Sequence, residues 1–513
     1  MATDRSRRIE FGDFQTPPGL AADVCAAVSK TNFRPRSILE PTCGRGVFLL
    51  AALSEFPCAS RVLGFDRNPD YVKIARAEVT SSPHGASAEV KQADFFSTDW
   101  AEVIDNLPQP ILVIGNPPWV TNAALGGLGS LNLPPKSNTD NLRGIEALTG
   151  HSNFDISEWM LRESVQWLAS REGTLAVLCK TAVARKVLTF AWSRQIPVER
   201  ASIYRIDAKA HFGASVDACL LLVRTRPGCG VKECAEYESL LASQPQRTFG
   251  VRDGQLVADV TLFERWRCLL ATEHNGWRSG IKHDCSTVFE LDVNEREFRN
   301  GLGERVEVER DVVFPLMKSS DLAAGRTPKK WLLLPQRFVT ESPDRLQSAA
   351  PKAWQYLGRH RRLLDERGST IYRKRPPFSV FGVGPYSFSP WKVAISGLYK
   401  RLEFRCVGPL REQPVVFDDT CYLFPCDSQE QAGVLHKLVT SPAALEFWSA
   451  LVFWDAKRPI TAKLLNSLDL AELARAIGVW DATTRRIAER QMVEYSEHAH
   501  QALLFQESAA PRG

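Results

Sequence analysis

The sequence predicts an α/β protein whose first part is a largely parallel sheet covered by helices on both faces. Three observations predict it. Strand-like and helix-like stretches alternate over roughly the first 230 residues, the pattern that builds parallel sheets. The last two strand-like stretches of that part are joined only by the short AKAHFGAS (208–215), so they are expected to pair antiparallel. From about residue 311 the pattern changes to short β-like pieces among aromatics, Pro and Gly, which marks a second domain of α+β character.

Taken in order, strands are expected at Ser37–Glu40 (SILE), Arg61–Asp66 (RVLGFD), Glu89–Asp94 (EVKQAD), Ile111–Gly115, Thr174–Lys180, Ala201–Asp207 and Asp217–Arg224. Helical patterns lie between them, as in GVFLLAALSEF, PDYVKIARAEV and FDISEWMLRESVQWLAS. Residues from about 226 to 310 are mixed and give no clear assignment. The later β-like pieces are PFSVFGVG, WKVAISGLY and VVFDDTCYLF, and a helical stretch runs from about Ser428 to the end.

At 513 residues the chain is too long for one core. Its 44% apolar and 24% charged residues are ordinary for a soluble protein. No apolar run is long enough to span a bilayer, and MATDRSRRIEFGDF lacks the apolar core of a signal peptide, so a cytoplasmic location is expected. The twelve cysteines are scattered; the two C-x4-C spacings, Cys229 to Cys234 and Cys421 to Cys426, have no histidine nearby, so no metal is expected. Charge is unevenly placed. Asp321 to Arg411 holds 18 Lys/Arg against 6 Asp/Glu, while the whole chain carries only +5. A basic segment on an acidic body points to a polyanion docking at one end.

In ILEPTCGRGVFLLAAL a strand ends at Glu40, and Gly44-Arg45-Gly46 then leads into a helix. Glycines there let the backbone approach a bound molecule, and the helix N-terminus offers free N–H groups. Residue 49, where a dinucleotide fingerprint would want a third glycine, is Leu49. Asp66 ends the next strand, placed to bind ribose hydroxyls, and Asp94-Phe95 ends the third, suited to an adenine's amino group and face. The C-terminal edge of a parallel sheet is where such ligands sit.

ILVIGNPPWVTN (111–122) runs an apolar strand into Asn116, Pro117, Pro118 and Trp119. A base's exocyclic amine is a poor nucleophile because its lone pair is delocalised into the ring. Two acceptors on its two N–H bonds, the Asn116 side-chain oxygen and the Pro117 carbonyl, would favour a pyramidal nitrogen. The prolines fix φ and remove two N–H groups, which holds that carbonyl outward. Trp119 offers a flat face on which an extruded base can stack.

P-T-C-G-x-G-x-F followed by N-P-P-W resembles the amino-group DNA methyltransferases, and seven strands ending in a reversal fit their fold. FGDFQTPPGLA resembles their upstream cofactor motif, with Phe11, Gln15, Thr16 and Pro17 at the matching places. That order of motifs is the gamma class, mainly N6-adenine enzymes, and the resemblance covers residues 11 to about 225. It implies a Rossmann-like class I methyltransferase sheet with a C-terminal α+β target-recognition domain, and S-adenosylmethionine as cofactor. Contacts to the cofactor would then come from Glu40, Pro41, Cys43, Gly44, Gly46, Phe48, Asp66, Arg67, Asp94, Phe95 and Asn116 as well. Transfer would be direct and in line, with Asn116, Pro117, Pro118 and Trp119 as the catalytic group. Phe212 matches the place of a second aromatic against the flipped base, and packing between the last two strands explains it equally well. Leu125–Pro135 (LGGLGSLNLPP), with Gly126, Gly127 and Gly129, suits a closing loop or a plain connector.

NPPY-type motifs also serve RNA bases and a protein glutamine, and N4-cytosine presents the same amine. Arg359, Arg361, Arg362, Arg373, Lys374 and Arg375, with aromatics at Trp354, Tyr372, Phe378, Tyr386 and Trp391 interleaved, favour double-stranded DNA over a short peptide loop. Adenine is favoured over cytosine because the cytosine enzymes more often carry Ser in place of Asn116. A non-catalytic DNA-binding protein of the same fold is the other class of answer. The expected organisation is a catalytic domain at 1–230, a connecting region at 231–310, a target-recognition domain at 311–480 and a tail at 481–513. The resemblance implies the modification partner of a restriction or phage-defence system; no nuclease motif is evident, so cleavage would need another protein.

Overall fold

All seven expected strands form, and their apolar residues are what bury them. The computed structural model describes residues 15–120, 155–271, 276–294, 297–373, 375–456 and 458–493. It divides into two units between Val260 and Thr261. In the first, α1 (Pro18–Ser29) precedes β1 (Ser37–Glu40), α2 (Val47–Glu55), β2 (Arg61–Asp66), α3 (Pro69–Ser81), β3 (Ala88–Gln92), α4 (Trp100–Asp105) and β4 (Ile111–Gly115). Then come α5 (Ile156–Trp167), β5 (Gly173–Lys180), α6 (Thr181–Ser193), β6 (Val198–Ile206), α7 (Ala208–Phe212) and β7 (Ala218–Thr225). β8 (Glu233–Tyr237), β9 (Arg247–Arg252) and β10 (Gln255–Val257) complete the sheet.

The strand order is β3-β2-β1-β4-β5-β7-β6, continued by β8, β9 and β10. β1 to β5 run parallel, and β7 lies antiparallel to both β5 and β6. β1 and β4 are buried along their whole length, as central strands sandwiched between helices must be. The order reverses between β1 and β4, so a crevice opens at their C-terminal ends. Antiparallel pairing of the last two strands is as expected. However, AKAHFGAS is not a bare connector: the Asp207 carboxylate accepts from Ala210 N at 2.9 Å and starts the one-turn α7, which Gly213 ends at φ 68°.

In the second unit, β12 (Glu290–Asn294), β13 (Glu297–Arg299), β14 (Arg305–Val306), β15 (Val313–Met317), β16 (Lys330–Leu333) and β19 (Val416–Phe417) form a sheet ordered β14-β13-β12-β16-β15-β19. β11 (Arg278–Ser279), β17 (Trp391–Ser396), β18 (Phe404–Val407) and β20 (Cys421–Cys426) form another, ordered β11-β20-β17-β18. Helices at 429–439, 442–451, 470–476 and 482–493 share a core with it around Trp448, Phe447 and Trp277. The segment expected as a connector is divided: 233–257 extends the first sheet, and 278–306 supplies strands to the second unit. PFSVFGVG is not a strand. Phe378 and Gly382 both sit at φ 69°, and one isolated bridge, Lys282 to Phe381, is its β-pairing. A Cβ on Gly382 would lie 2.3 Å from the Gly280 oxygen, so that chain crossing needs glycine. Among the described residues no helix is long and apolar enough to cross a membrane.

Candidate active site

The turn after β1 is built by hydrogen bonds rather than by side-chain bulk. Cys43 N donates to Phe65 O at 2.7 Å, and Gly46 N donates to Cys43 O at 2.8 Å. Gly44 and Gly46 stand at φ 51° and 83°, and a Cβ on Gly46 would press to 3.1 Å from that of Ala75. Glycine is required at 46 for both reasons. The Asp66 carboxylate accepts from Gly44 N and from Asn68 N, each at 2.8 Å, and so ties the loops after β1 and β2 together. Asp94 does the same one strand further on, accepting from Phe96 N at 2.9 Å with Arg67 Nε 3.4 Å away.

These loops and the end of β4 surround one cavity. Of the residues expected to bind the cofactor or act on substrate, Gln15, Thr16, Glu40, Pro41, Cys43, Gly44, Phe48, Asp66, Arg67, Asp94, Phe95, Asn116 and Pro118 line it. Pro17, Gly46, Pro117, Trp119 and Phe212 do not, and Phe11, Leu125–Pro135 and Lys374 lie outside the described residues. Pro17 instead stands at the residue before α1, and Gly46 at the residue before α2. Thr42 of the P-T-C-G motif, and Val47, Asn68, Tyr71, Ala93, Phe96, Ile156 and Met160, which no motif marks, also face the cavity. Ile156 and Met160 are four apart on α5, a spacing that puts two side chains on one helix face. Tyr71 sits in the first turn of α3, with the Arg45 guanidinium 5.4 Å from its ring.

The Asn116 amide is fixed by a contact across 100 residues: Nδ2 donates to Thr16 Oγ1 at 3.2 Å. The N-terminal motif and the N-P-P-W turn therefore form one wall. Glu40 is buried beside them, and Oε2 has no hydrogen-bond partner among the described residues. Burial, with Asp66 adding to it, holds the Glu40 carboxyl well above the usual carboxylate range. Such an acid wants a cationic or donor group next to it. Burial, followed by Glu40 and then Asp66, also pushes the Cys43 thiol far up, which leaves no thiolate for nucleophilic work.

Trp119 differs from expectation. It keeps only 9% of its surface exposed, its indole N–H donates to Leu178 O at 3.2 Å, and it meets Phe212 edge-on with ring centroids 5.3 Å apart. No base fits between rings so close. Phe212 is half-buried, while Phe95 belongs to a cluster with Phe96, Trp100, Trp159 and Trp167. That cluster stiffens the third loop from behind.

Lys180, at the end of β5, holds the N-P-P-W turn from outside the cavity. Its Nζ donates to Trp119 O at 3.2 Å and to the buried Asp155 carboxylate at 2.6 Å. Asp155 caps α5 through Ser157, and Ile156 N donates to Val120 O at 2.9 Å. Lys180→Met is expected to lower kcat by about tenfold to a hundredfold, since a shift near 1 Å has that effect on a positioned group. The Arg variant should recover part of the loss, and KM for cofactor should change less than kcat.

A sheet of this order, reversed at β7, with an acid-rimmed cavity at the C-terminal ends of β1, β2 and β4, defines a class I methyltransferase, whose methyl donor is S-adenosylmethionine. The residues present fit that donor: a buried acid with a spare oxygen, an acid at the second strand end, and an apolar wall of Phe48, Phe95 and Phe96. No protein-family profile matches the chain. It is 43% identical over 474 residues to the type II methyltransferase M.NspV of Nostoc sp., covering 92% of this chain and 98% of that protein. It therefore belongs to the type II methyltransferase family. A second relative, the type II methyltransferase M.CvrRI of Paramecium bursaria Chlorella virus XZ-6E, is 32% identical over 117 residues, 23% of this chain and 27% of its own. The fold is similar to that of the type IIL restriction-modification enzyme MmeI, solved in complex with DNA, with a TM-score of 0.51 and 12% identity over 98% of this chain and 76% of that one.

Proposed function

We propose that this enzyme is a gamma-class, site-specific DNA methyltransferase that methylates the N6 amino group of adenine in duplex DNA, within a restriction-modification or defence system. The observation that carries the reading is the Asn116 amide, oriented by Thr16 and opening on the cavity that holds Glu40 and Asp66. When bound, S-adenosylmethionine supplies an electrophilic methyl on a sulfonium. Glu40 and Asp66 would hold its polar groups, and Phe95 and Phe96 would supply an apolar wall for its adenine. Asn116 Oδ1 and the Pro117 carbonyl accept from the two N–H bonds of the target amine and free its lone pair for attack. The half-buried Phe212 ring takes the flipped base, with Trp119 supporting it from below.

For the phosphate track, the expected arginines sit at 351–375 of the second unit. Arg359, Arg361, Arg362 and Arg373 are exposed, while Arg375 is half-buried against the Phe381 ring. Arg361 and Arg362 pair with Asp365 and Glu366 one turn on, an exchange that phosphates would win at little cost. Arg362→Ala combined with Arg373→Ala should lessen the slope of log affinity against log salt by about 1.8. An unchanged slope would move the track elsewhere. The decisive experiment is base-resolved modification calling on DNA incubated with the enzyme and cofactor. N6-methyladenine at one recurring sequence is the expected result, and N4-methylcytosine or no DNA mark would overturn the assignment.

A further inference from the structure

The aromatics interleaved with the basic residues of this region are largely occupied. Phe378 is buried edge-on against Trp354 with centroids 5.2 Å apart, and Tyr386 is buried beneath the Arg278 guanidinium. The Arg367 guanidinium lies 3.6 Å from the centre of the Tyr372 ring, and Trp391 packs on the core around Trp448.

Leu398 and Tyr399 do the opposite. They lie on the turn joining β17 to β18 and are 42% and 40% exposed. Among the described residues they are the one adjacent pair of large apolar side chains exposed to that degree. The Tyr399 carbonyl accepts from Arg401 N at 2.9 Å, while its ring and hydroxyl have no partner among the described residues. The turn rests on a firm base. β17 pairs with β20 from Trp391↔Cys426 to Ser396↔Cys421, and with β18 from Lys392↔Val407 to Ile395↔Phe404. A Cβ on Gly397 would meet the Tyr422 ring at 2.7 Å, so the chain is held close at that point. Leu398 N donates to Ser396 Oγ at 3.2 Å, and Arg401 Nη2 donates to Ala323 O at 3.3 Å.

An apolar pair fixed in water on a rigid turn marks a contact surface. Its neighbours say with what. Lys400, Arg401 and Arg405 share the hairpin with a single acid, Glu403, which pairs with both arginines. Flat apolar groups flanked by cations match stacked bases flanked by phosphates. We propose that this turn is the element that enters the duplex, with Leu398 and Tyr399 wedged beside the target base and Lys400 and Arg401 on the flanking phosphates. The proposal rests on the reading of DNA as substrate and adds the part that opens the base pair.

The test uses the full chain and a duplex carrying the site mapped by modification calling. A second duplex is identical but mismatched at the target base, so that it is already unstacked. Leu398→Ala with Tyr399→Ala should slow methylation of the paired duplex by at least about tenfold and recover most of that on the mismatched one. Its salt slope should equal wild type, whereas Lys400→Ala with Arg401→Ala should reduce the slope and slow both duplexes alike. Equal loss on both duplexes with the apolar variant, or no loss, would overturn the wedge while leaving the substrate reading intact. A wild-type enzyme inactive on all DNA would overturn the substrate reading itself. A wild-type dimer that the apolar variant turns into monomer would assign the turn to a second copy of the chain and overturn the wedge.

Discussion

Asn116→Ala is expected to reduce kcat for methyl transfer by about a thousandfold or more, with cofactor affinity within a few-fold of wild type. The argument is local. The amide oxygen is one of two acceptors for the amine, and alanine supplies none. Thr16 keeps its hydroxyl but loses the Nδ2 donor that meets it at 3.2 Å, so the wall between the N-terminal motif and the turn loosens as well. Asn116→Asp separates these effects. It keeps an acceptor, and the Thr16 hydroxyl can rotate to donate to it, so it should retain more activity than alanine. Single-turnover methylation with isothermal titration of the cofactor measures both quantities. Full activity in the alanine variant would remove the clamp from the mechanism.

The second large effect is on stability and involves no part of the cavity. Lys392 lies in β17, 1% exposed, and its Nζ donates to Ser389 O at 2.6 Å. Burial lowers its pKa to about 7, and nearby Cys426 acts the other way. In the unfolded chain the amine stays protonated up to about pH 10. Between these values the unfolded state holds the extra proton, so stability rises with pH across that window. At and below neutrality the folded state carries the full penalty of the buried amine, which is on the order of 4 kcal/mol. Lys392→Met removes that penalty and leaves the Ser389 carbonyl unsatisfied, which returns about 1–3 kcal/mol of it. The net expectation is a gain of about 2 kcal/mol at pH 7, shrinking and then reversing as pH approaches 10. Chemical denaturation of both proteins at pH 6, 7, 8 and 9.5 checks it, and a difference independent of pH would show that Lys392 is charged when folded.

What could be read from the chain follows from how local each signal is. The first sheet was legible because its strands are continuous apolar runs ending in Glu40, Asp66 and Gly115, and because consecutive strands pair with near neighbours. The cavity walls were legible where the motif itself supplies them. Met160 and Tyr71 were not, because a helix face turns toward a site only after packing chooses its rotation. Trp119 misled for a related reason: an aromatic beside two prolines reads as presented outward, and only the fold brings Leu178 O and Phe212 to cover it. In the second unit, register depends on distant pairings such as Arg278 with Leu423, which no local pattern announces. PFSVFGVG alternates like a strand, yet it bends at Phe378 and Gly382.

The hydrogen bond from Ile156 N to Val120 O, backed by Lys180 bridging Asp155 and Trp119 O, clasps the end of the N-P-P-W turn to the start of α5. The turn that carries Asn116 and the helix that carries Ile156 and Met160 are thus fastened as one piece, and a strain placed on either wall of the cavity is passed to the other.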